Sequence, residues 1–298
     1  MRYSLASQRD KFWGAFFFLI ALICSLLLAA VLLFMLKESW PVWTEIGAKS
    51  FLLATAWNPM ASPPEFSIAP MLVSTIWVAA GSLLIAAPIG FACAIFLAEF
   101  APAPLADILR PVLNILTGIP SVVYGFLGAA VLVRFFERSL GWSSGESLFL
   151  ASLVLALMVL PFIVANSEAA LRSVPAEYRY AALALGVSKT HLAIHVLVPL
   201  ARKGMLGSLA LAFGRAAGET MAVLMLAGNI LLTPGSWLDK GEPLPALIAL
   251  ELGSAVPGSP HYQALLAAGL VLVVIVMIIN LLLNNYLHTA RNEVNRFE

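Results

Sequence analysis

Arg215 and Glu219 stand four residues apart within Gly204 to Leu232, GMLGSLALAFGRAAGETMAVLMLAGNILL, a run that is otherwise long and apolar. On a continuous helix that spacing puts both charges on one face. An ion near the centre of a hydrocarbon layer costs about 2.5–3.5 kcal/mol on insertion scales, so it persists there when it is paired or lines a polar path. Two roles fit this pair. One is a structural ion pair that lets the helix insert. The other is a path for an anion, since a guanidinium is a planar, permanently charged fork of donors that matches an oxyanion bidentately. The order is the weaker one for helical pairing, where the acid does better N-terminal to the base. Gly214 and Gly218 precede the two charges and leave room for backbone or ligand to approach closely. Counting from Gly204 at about 1.5 Å per residue places Arg215 about 16 Å into a layer about 30 Å thick, close to its midplane.

A second stretch concentrates hydroxyls and a helix break at one depth: Thr117-Gly118-Ile119-Pro120-Ser121-Val122-Val123-Tyr124-Gly125. With Thr220 beside Glu219, its Ser121 and Tyr124 complete the candidate path of Arg215, Glu219, Thr220, Ser121 and Tyr124, packing being the alternative. No catalytic constellation accompanies it. Metal or general-acid chemistry at a membrane face calls for clustered acids, and Glu219 is the one acid deep inside any predicted span. His191 and His195 lie a turn apart without a third ligand, and Cys24 and Cys93 sit in apolar runs without CxxC spacing, so neither metal nor disulfide is expected.

The elements that position these residues follow from composition. Of 298 residues, 61% are hydrophobic and 11% charged, against roughly 45–50% and 25% in soluble domains. This is the composition of an all-α, polytopic membrane protein. A net charge of +1 without an aromatic-interleaved basic patch excludes nucleic acid as a partner. Six runs are long enough to span: Gly14 to Leu36, Pro70 to Ala98, Arg110 to Val133, Leu148 to Ser167, Gly204 to Leu232, and Ala264 to Leu287. The first is longer than a signal-peptide core and has no convincing cleavage site before Lys37, so it reads as an anchor. Pro88, Pro120 and Pro161 each interrupt a span and tend to kink it. Asn280 suits a hydrogen bond to a neighbouring helix.

Lys and Arg set the orientation. With the N-terminus inside, Arg2, Arg9, Lys11, Arg110, Arg172, Arg179, Lys189, Arg202, Lys203, Arg291 and Arg296 are cytoplasmic, and only Lys37, Lys49, Arg134, Arg138 and Lys240 lie outside. The chain then divides into an anchor helix and outer loop (1–69), a transmembrane body (70–287) and a cytoplasmic tail (288–298). The outer loop, Lys37 to Ser67, carries Trp40, Trp43 and Trp57 with Pro41, Pro59, Pro63 and Pro64, as a stiff surface segment would.

The sizeable cytoplasmic segment is 168–203. Pro175 suits a first helical turn, and Tyr178, Ala181, Ala182 and Leu185 recur at i, i+3, i+4 and i+7 to give a small apolar docking face. Gly186 ends this helix, and a second stretch from Ser188 runs until Pro199. GVSKT at 186–190 lacks the adjacent Gly-Lys and the preceding strand of a phosphate-binding loop, so any ATP hydrolysis belongs to another subunit.

Ala181-Ala182, then Gly186, then Val196-Leu197-Val198-Pro199 resembles the EAA signature of bacterial ABC importer permeases, with Tyr180 in place of the usual acidic residue. IPSVVYG at 119–125 and GRAAGETMAVLMLAGN at 214–229 resemble segments of phosphate-specific importer permeases, the second being closer to the PstC type than to PstA. The resemblance covers roughly 70–287 and implies a type I importer fold of six membrane helices in a bacterial inner membrane. It further implies a PstA-like second permease, an ATPase dimer carrying ATP and Mg, and a binding protein that delivers phosphate, with no cofactor in this chain. Arg215 and Glu219 correspond to charges implicated in anion passage in that family, and Tyr178, Ala181, Ala182, Leu185 and Gly186 to the ATPase contact. Charge and fork geometry alone suit sulfate or molybdate as well as phosphate.

Overall fold

The computed structural model describes the backbone of residues 2–141 and 144–294, with side chains over 12–139, 141 and 144–282. The Arg2, Arg9, Lys11 and Arg291 side chains and all of Arg296, used in the charge count, lie outside these residues.

The bundle is built from α1 (Arg2–Pro41), α2 (Ala48–Leu53), α3 (Ala69–Ile95), α4 (Ala103–Gly118), α5 (Ser121–Leu127), α6 (Arg134–Leu140), α7 (Leu148–Arg172), α8 (Ala176–Ala184), α9 (Lys189–Leu192), α10 (Val198–Ala217), α11 (Met221–Leu224), α12 (Leu244–Glu251) and α13 (Pro260–Val294). Wider helical turns extend or join several of them, among them Phe96–Phe100 after α3 and Ala193–Leu197 between α9 and α10. Within the outer loop, β1 (Trp57–Asn58) pairs antiparallel with β2 (Glu65–Phe66), Trp57 opposite Phe66. Helices dominate because a backbone in lipid must satisfy its own hydrogen bonds.

At the centre, α7 packs between α3 and α10. Ser147 starts it by accepting the Leu150 N–H at 3.1 Å. Its alanines, with Ser152 and Ser167, admit neighbours closely, and its Val, Leu and Ile side chains fill the main core. A cluster around Trp57, Ile68, Met71, Leu244 and Ala264 closes one end of the bundle. Another, around Ala94, Leu171, Val174, Leu192 and Leu197, closes the other, which carries the 173–197 loop. Helix α1 packs on α13, yet Phe17, Leu27 and Leu33, like most of its apolar side chains, are exposed. That surface is for lipid or another protein, not for this chain's core.

Five helical stretches are long and apolar enough to cross a membrane, and a bent pair makes a sixth. The third expected span, Arg110 to Val133, is that pair: α4 and the helix from Ser121 to Ser139 meet at 90°. Proline 120 has no N–H to continue α4, and Ile119 takes an extended conformation (ψ 127°). The fifth, Gly204 to Leu232, needs correction. Its helical stretch is Lys189–Ala217, and after Gly218 the chain makes only the single turn of α11. Glycine 218 offers no side-chain packing to carry the helix on, and Thr220 leaves the ideal helical region (φ −108°). Pro199 was expected to end the second loop helix, but the wide turns at Ala193–Leu197 absorb its missing N–H and α10 continues through it. Helix α13 runs on to Val294, so residues 288–294 of the expected tail continue the last helix, and 295–298 lie outside the described residues.

Candidate functional site

The depth of Arg215 follows from how α10 lies on α7. The hydroxyls of Ser167 and Ser208 share a hydrogen bond at 3.0 Å. Gly204 faces Ala170 so closely that a Cβ on it would come within 2.5 Å of the alanine's. Extending this antiparallel register sets Arg215 level with about Leu160, about twelve residues or 18 Å from either end of α7. The midspan position expected for Arg215 therefore holds. Its pairing with Glu219 does not. The helix stops between them, the structure contains no ion pair joining them, and Arg215 is exposed without a hydrogen-bond or ionic partner among the described residues.

Glu219, half-buried, turns to its own chain: its Oε1 accepts the Ala222 N–H at a long 3.5 Å, capping α11. The hydroxyl of Thr220 donates to the Gly218 carbonyl at 3.4 Å. Of the two glycines expected to invite close approach, Gly214 lies against Val276 and Asn280 of α13, whereas near Gly218 an added Cβ would meet only α10's own carbonyls. Asn280 donates to Val276 of its own helix at 3.0 Å, not across to a neighbour.

The second hydroxyl-rich stretch joins this region through packing. Helix α5 crosses α11 at Gly125, where a Cβ would sit 2.9 Å from Ala222 Cα and from Met225 Sδ. Tyr124 donates its hydroxyl to the Leu116 carbonyl at 3.0 Å, serving an acceptor that the α4 break has freed. Ser121, half-buried, opens α5 without a side-chain partner among the described residues. The two breaks are thus brought together, and among the described candidate path residues Arg215 and Ser121 are without a hydrogen-bond partner.

At the loop end, α8 starts after Pro175 and closes with both bonds of a Schellman motif, Val187 N–H to Ala182 and Gly186 N–H to Leu183, with Gly186 at φ +72°. The expected docking face is corrected at one position. Tyr178, Ala181 and Leu185 are exposed, the last by 82%, but Ala182 is buried against Val174 and Leu192 inside the chain. Tyr180 and Leu183 are exposed instead. A helix nine residues long needs an inward stripe to stay attached, and Ala182 is on it.

Three charged groups escaped the sequence reading. Arg179 holds α8 down by donating to Glu99 at 2.8 and 3.2 Å and to the Leu171 and Val174 carbonyls. Glu168, almost fully buried, accepts from Arg110 and Arg172. Its four-residue lead over Arg172 is the favourable acid-before-base order and was the available signal. At the far end Glu242, 4% exposed, has its carboxyl pushed up to about 7, first by burial and then by the charge of Glu251. Nothing in its local sequence marks it. Glu251 itself accepts from Trp57 Nε1 at 3.0 Å and lies 2.7 Å from His261 Nε2.

Residues 86–289 match the family described as binding-protein-dependent transport system inner membrane component. A probable ABC transporter permease protein, YqgH of Bacillus subtilis, is 39% identical over 81% of this chain and 78% of its own length. The phosphate transport system permease protein PstC of Haemophilus influenzae is 34% identical over 89% of this chain and 88% of its own, and that of Mesorhizobium japonicum is 32% identical over 87% and 84%. Among solved structures, an inward-facing MetNI methionine ABC transporter chain superposes with a TM-score of 0.56 at 19% identity, over 77% of this chain and 99% of that one, so the two share the ABC importer permease fold. From the match over most of its length, the chain belongs to the family of binding-protein-dependent transport system inner membrane components.

Proposed function

We propose that the chain is one permease subunit of an ATP-driven importer of inorganic phosphate, of the PstC type. The observation that carries this reading is Arg215: a midspan guanidinium at a helix break, exposed and without a partner among the described residues. Such a charge is too costly to persist in lipid unless another chain or an anion meets it. The PstC relatives favour phosphate over the other oxyanions that the fork would fit. Catalysis is not this chain's work. ATP and Mg belong to a separate ATPase dimer that docks on the exposed Tyr178 and Ala181 of α8 and Leu185 just after it. A PstA-like permease faces the Arg215 side, and a binding protein delivers phosphate to the end that carries α12. Body 70–287 forms the path and 1–69 anchors it.

Both termini and the 173–197 loop are cytoplasmic in this reading. Met35, near the end of α1, packs on Gly269, near the start of α13, so the two helices run antiparallel, and the start of α1 and the close of α13 are directed to the same end of the bundle. The start of α13 is in the cluster of the far end, which supports the reading that the termini are on the side of the loop end.

Uptake of radiolabelled phosphate and of sulfate by cells expressing the chain with its partners tests the reading. Phosphate is carried and sulfate is not; Arg215→Lys, which keeps the charge but loses the fork, carries phosphate at a reduced rate. Sulfate uptake matched by no phosphate uptake overturns the substrate.

A further inference from the structure

Between α4 and α7, at the loop end, a cleft of about 280 Å³ is lined by Arg110, Asn114, Glu168 and Arg172 over a floor that includes Leu113 and Val164. Both guanidiniums are fixed by a single carboxylate oxygen. Arg110 donates Nε and Nη2 to Glu168 Oε1 at 3.1 and 2.9 Å, and Arg172 donates Nε to the same atom at 2.8 Å. Arg172 Nη2 also holds the Leu97 carbonyl at 3.1 Å. One arginine, with two donors on Oε1, neutralises a buried carboxylate. The second leaves the lining side chains with a net positive charge; Asp107, which pairs loosely with Arg110 Nη1 at 3.9 Å, lies outside the lining and is 76% exposed, where water screens it.

Donors remain unspent here. Arg172 Nη1 and the Asn114 side-chain amide have no hydrogen-bond partner among the described residues, and Arg110 Nη1 has only its loose ion pair with Asp107. Glu168 Oε2 also accepts no bond, and as no buried side-chain oxygen among the described residues is left without a partner, solvent reaches it. Fixed donors beside an open carboxylate oxygen form a particular recognition set. The donors take the oxygens of an anion, and Oε2 takes a hydrogen from it. Sulfate carries no such hydrogen near neutral pH, whereas inorganic phosphate does, and a phosphomonoester headgroup does in its singly ionised form, which is favoured near and below its second pKa of about 6.

We propose that this cleft binds a hydrogen-bearing phosphate group, supplied by a phosphomonoester lipid or by free phosphate, at the end of the bundle where the 173–197 loop lies. Basic pockets between membrane helices at the cytoplasmic edge suit lipid headgroups. The free-phosphate source rests on the import reading, because transported phosphate would leave at this end; the lipid source does not.

The test uses the complete importer in nanodiscs. In one arm the discs contain phosphatidylcholine with a minor share of phosphatidic acid, and native mass spectrometry reads which lipid stays bound. In the other they contain phosphatidylcholine alone, and binding of radiolabelled phosphate is measured with sulfate as competitor. Asn114→Leu breaks no bond seen in the structure; it removes one hydrogen bond to a charged ligand and lowers retention about tenfold in whichever arm is the source, and Arg172→Gln lowers it further. Sulfate does not compete. Arg215→Gln leaves phosphatidic acid retention unchanged and leaves in place the share of phosphate binding that Asn114→Leu removes, so loss of transport and loss of this site are read separately. If neither phosphatidic acid nor phosphate is retained, or if retention ignores both Asn114→Leu and Arg172→Gln, the proposal is wrong.

Discussion

Among the described residues two membrane helices are broken, and the breaks are finished differently. At Ile119–Pro120 the freed acceptors are taken up at once: Tyr124 bonds the Leu116 carbonyl at 3.0 Å and Thr117 bonds that of Asn114 at 2.7 Å. At Gly218–Thr220 the side chains reach their backbone partners only at 3.4 and 3.5 Å, and Arg215 reaches none among the described residues. A break closed by its own side chains fixes a shape, here a right-angled turn. One left open leaves a polar group, here Arg215, without a partner among the described residues.

The contrast is broken most severely at Arg215. Arg215→Gln keeps length and hydrogen bonding but loses charge, and phosphate uptake falls to background while the assembled complex remains. Adding Glu219→Gln does not restore it, because the two are not an ion pair; a double variant that transports at the wild-type rate makes Arg215 structural. Next comes Gly125→Val, whose Cβ meets Ala222 backbone at 2.9 Å. It destabilises the α5–α11 crossing by about 1–3 kcal/mol, read as lower recovery of folded protein in detergent. Tyr124→Phe strands the Leu116 carbonyl and costs about 1–3 kcal/mol in the same measurement unless water replaces the hydroxyl, with transport per folded molecule preserved. Ser121→Ala, which removes no bond among the described residues, stays within about 0.5 kcal/mol in stability; a loss of uptake from it would add Ser121 to the open break.

Much of this was legible. The apolar runs located the helices, since length and composition decide what crosses a bilayer. Proline 175 and Gly186 bounded α8 because each constrains the backbone locally. The end of α10 was not legible. The apolar run resumes beyond Gly218 in MAVLML, and hydropathy cannot tell a helix that continues from one that turns within the protein. Ala182 was misplaced for a related reason: a four-residue periodicity marks an apolar stripe without saying whether the chain itself or a partner covers it. The clamps at Glu168 and Arg179 join residues 58 and 80 apart, which no local pattern encodes.

The buried carboxyl of Glu242 makes the end that carries α12 a proton-binding element of folding. It lies between the spans, and its folded value of about 7 stands above the ordinary 4.5. Between those two values the folded chain keeps a proton that the unfolded chain releases, so the contribution to stability is fully present below about 4.5 and fades as pH rises through about 7. The melting temperature of the detergent-solubilised chain should therefore fall from pH 5 to pH 7.5, and Glu242→Gln, neutral throughout, should flatten that slope. By this linkage the α12 end holds its structure more firmly in mildly acidic surroundings than in alkaline ones.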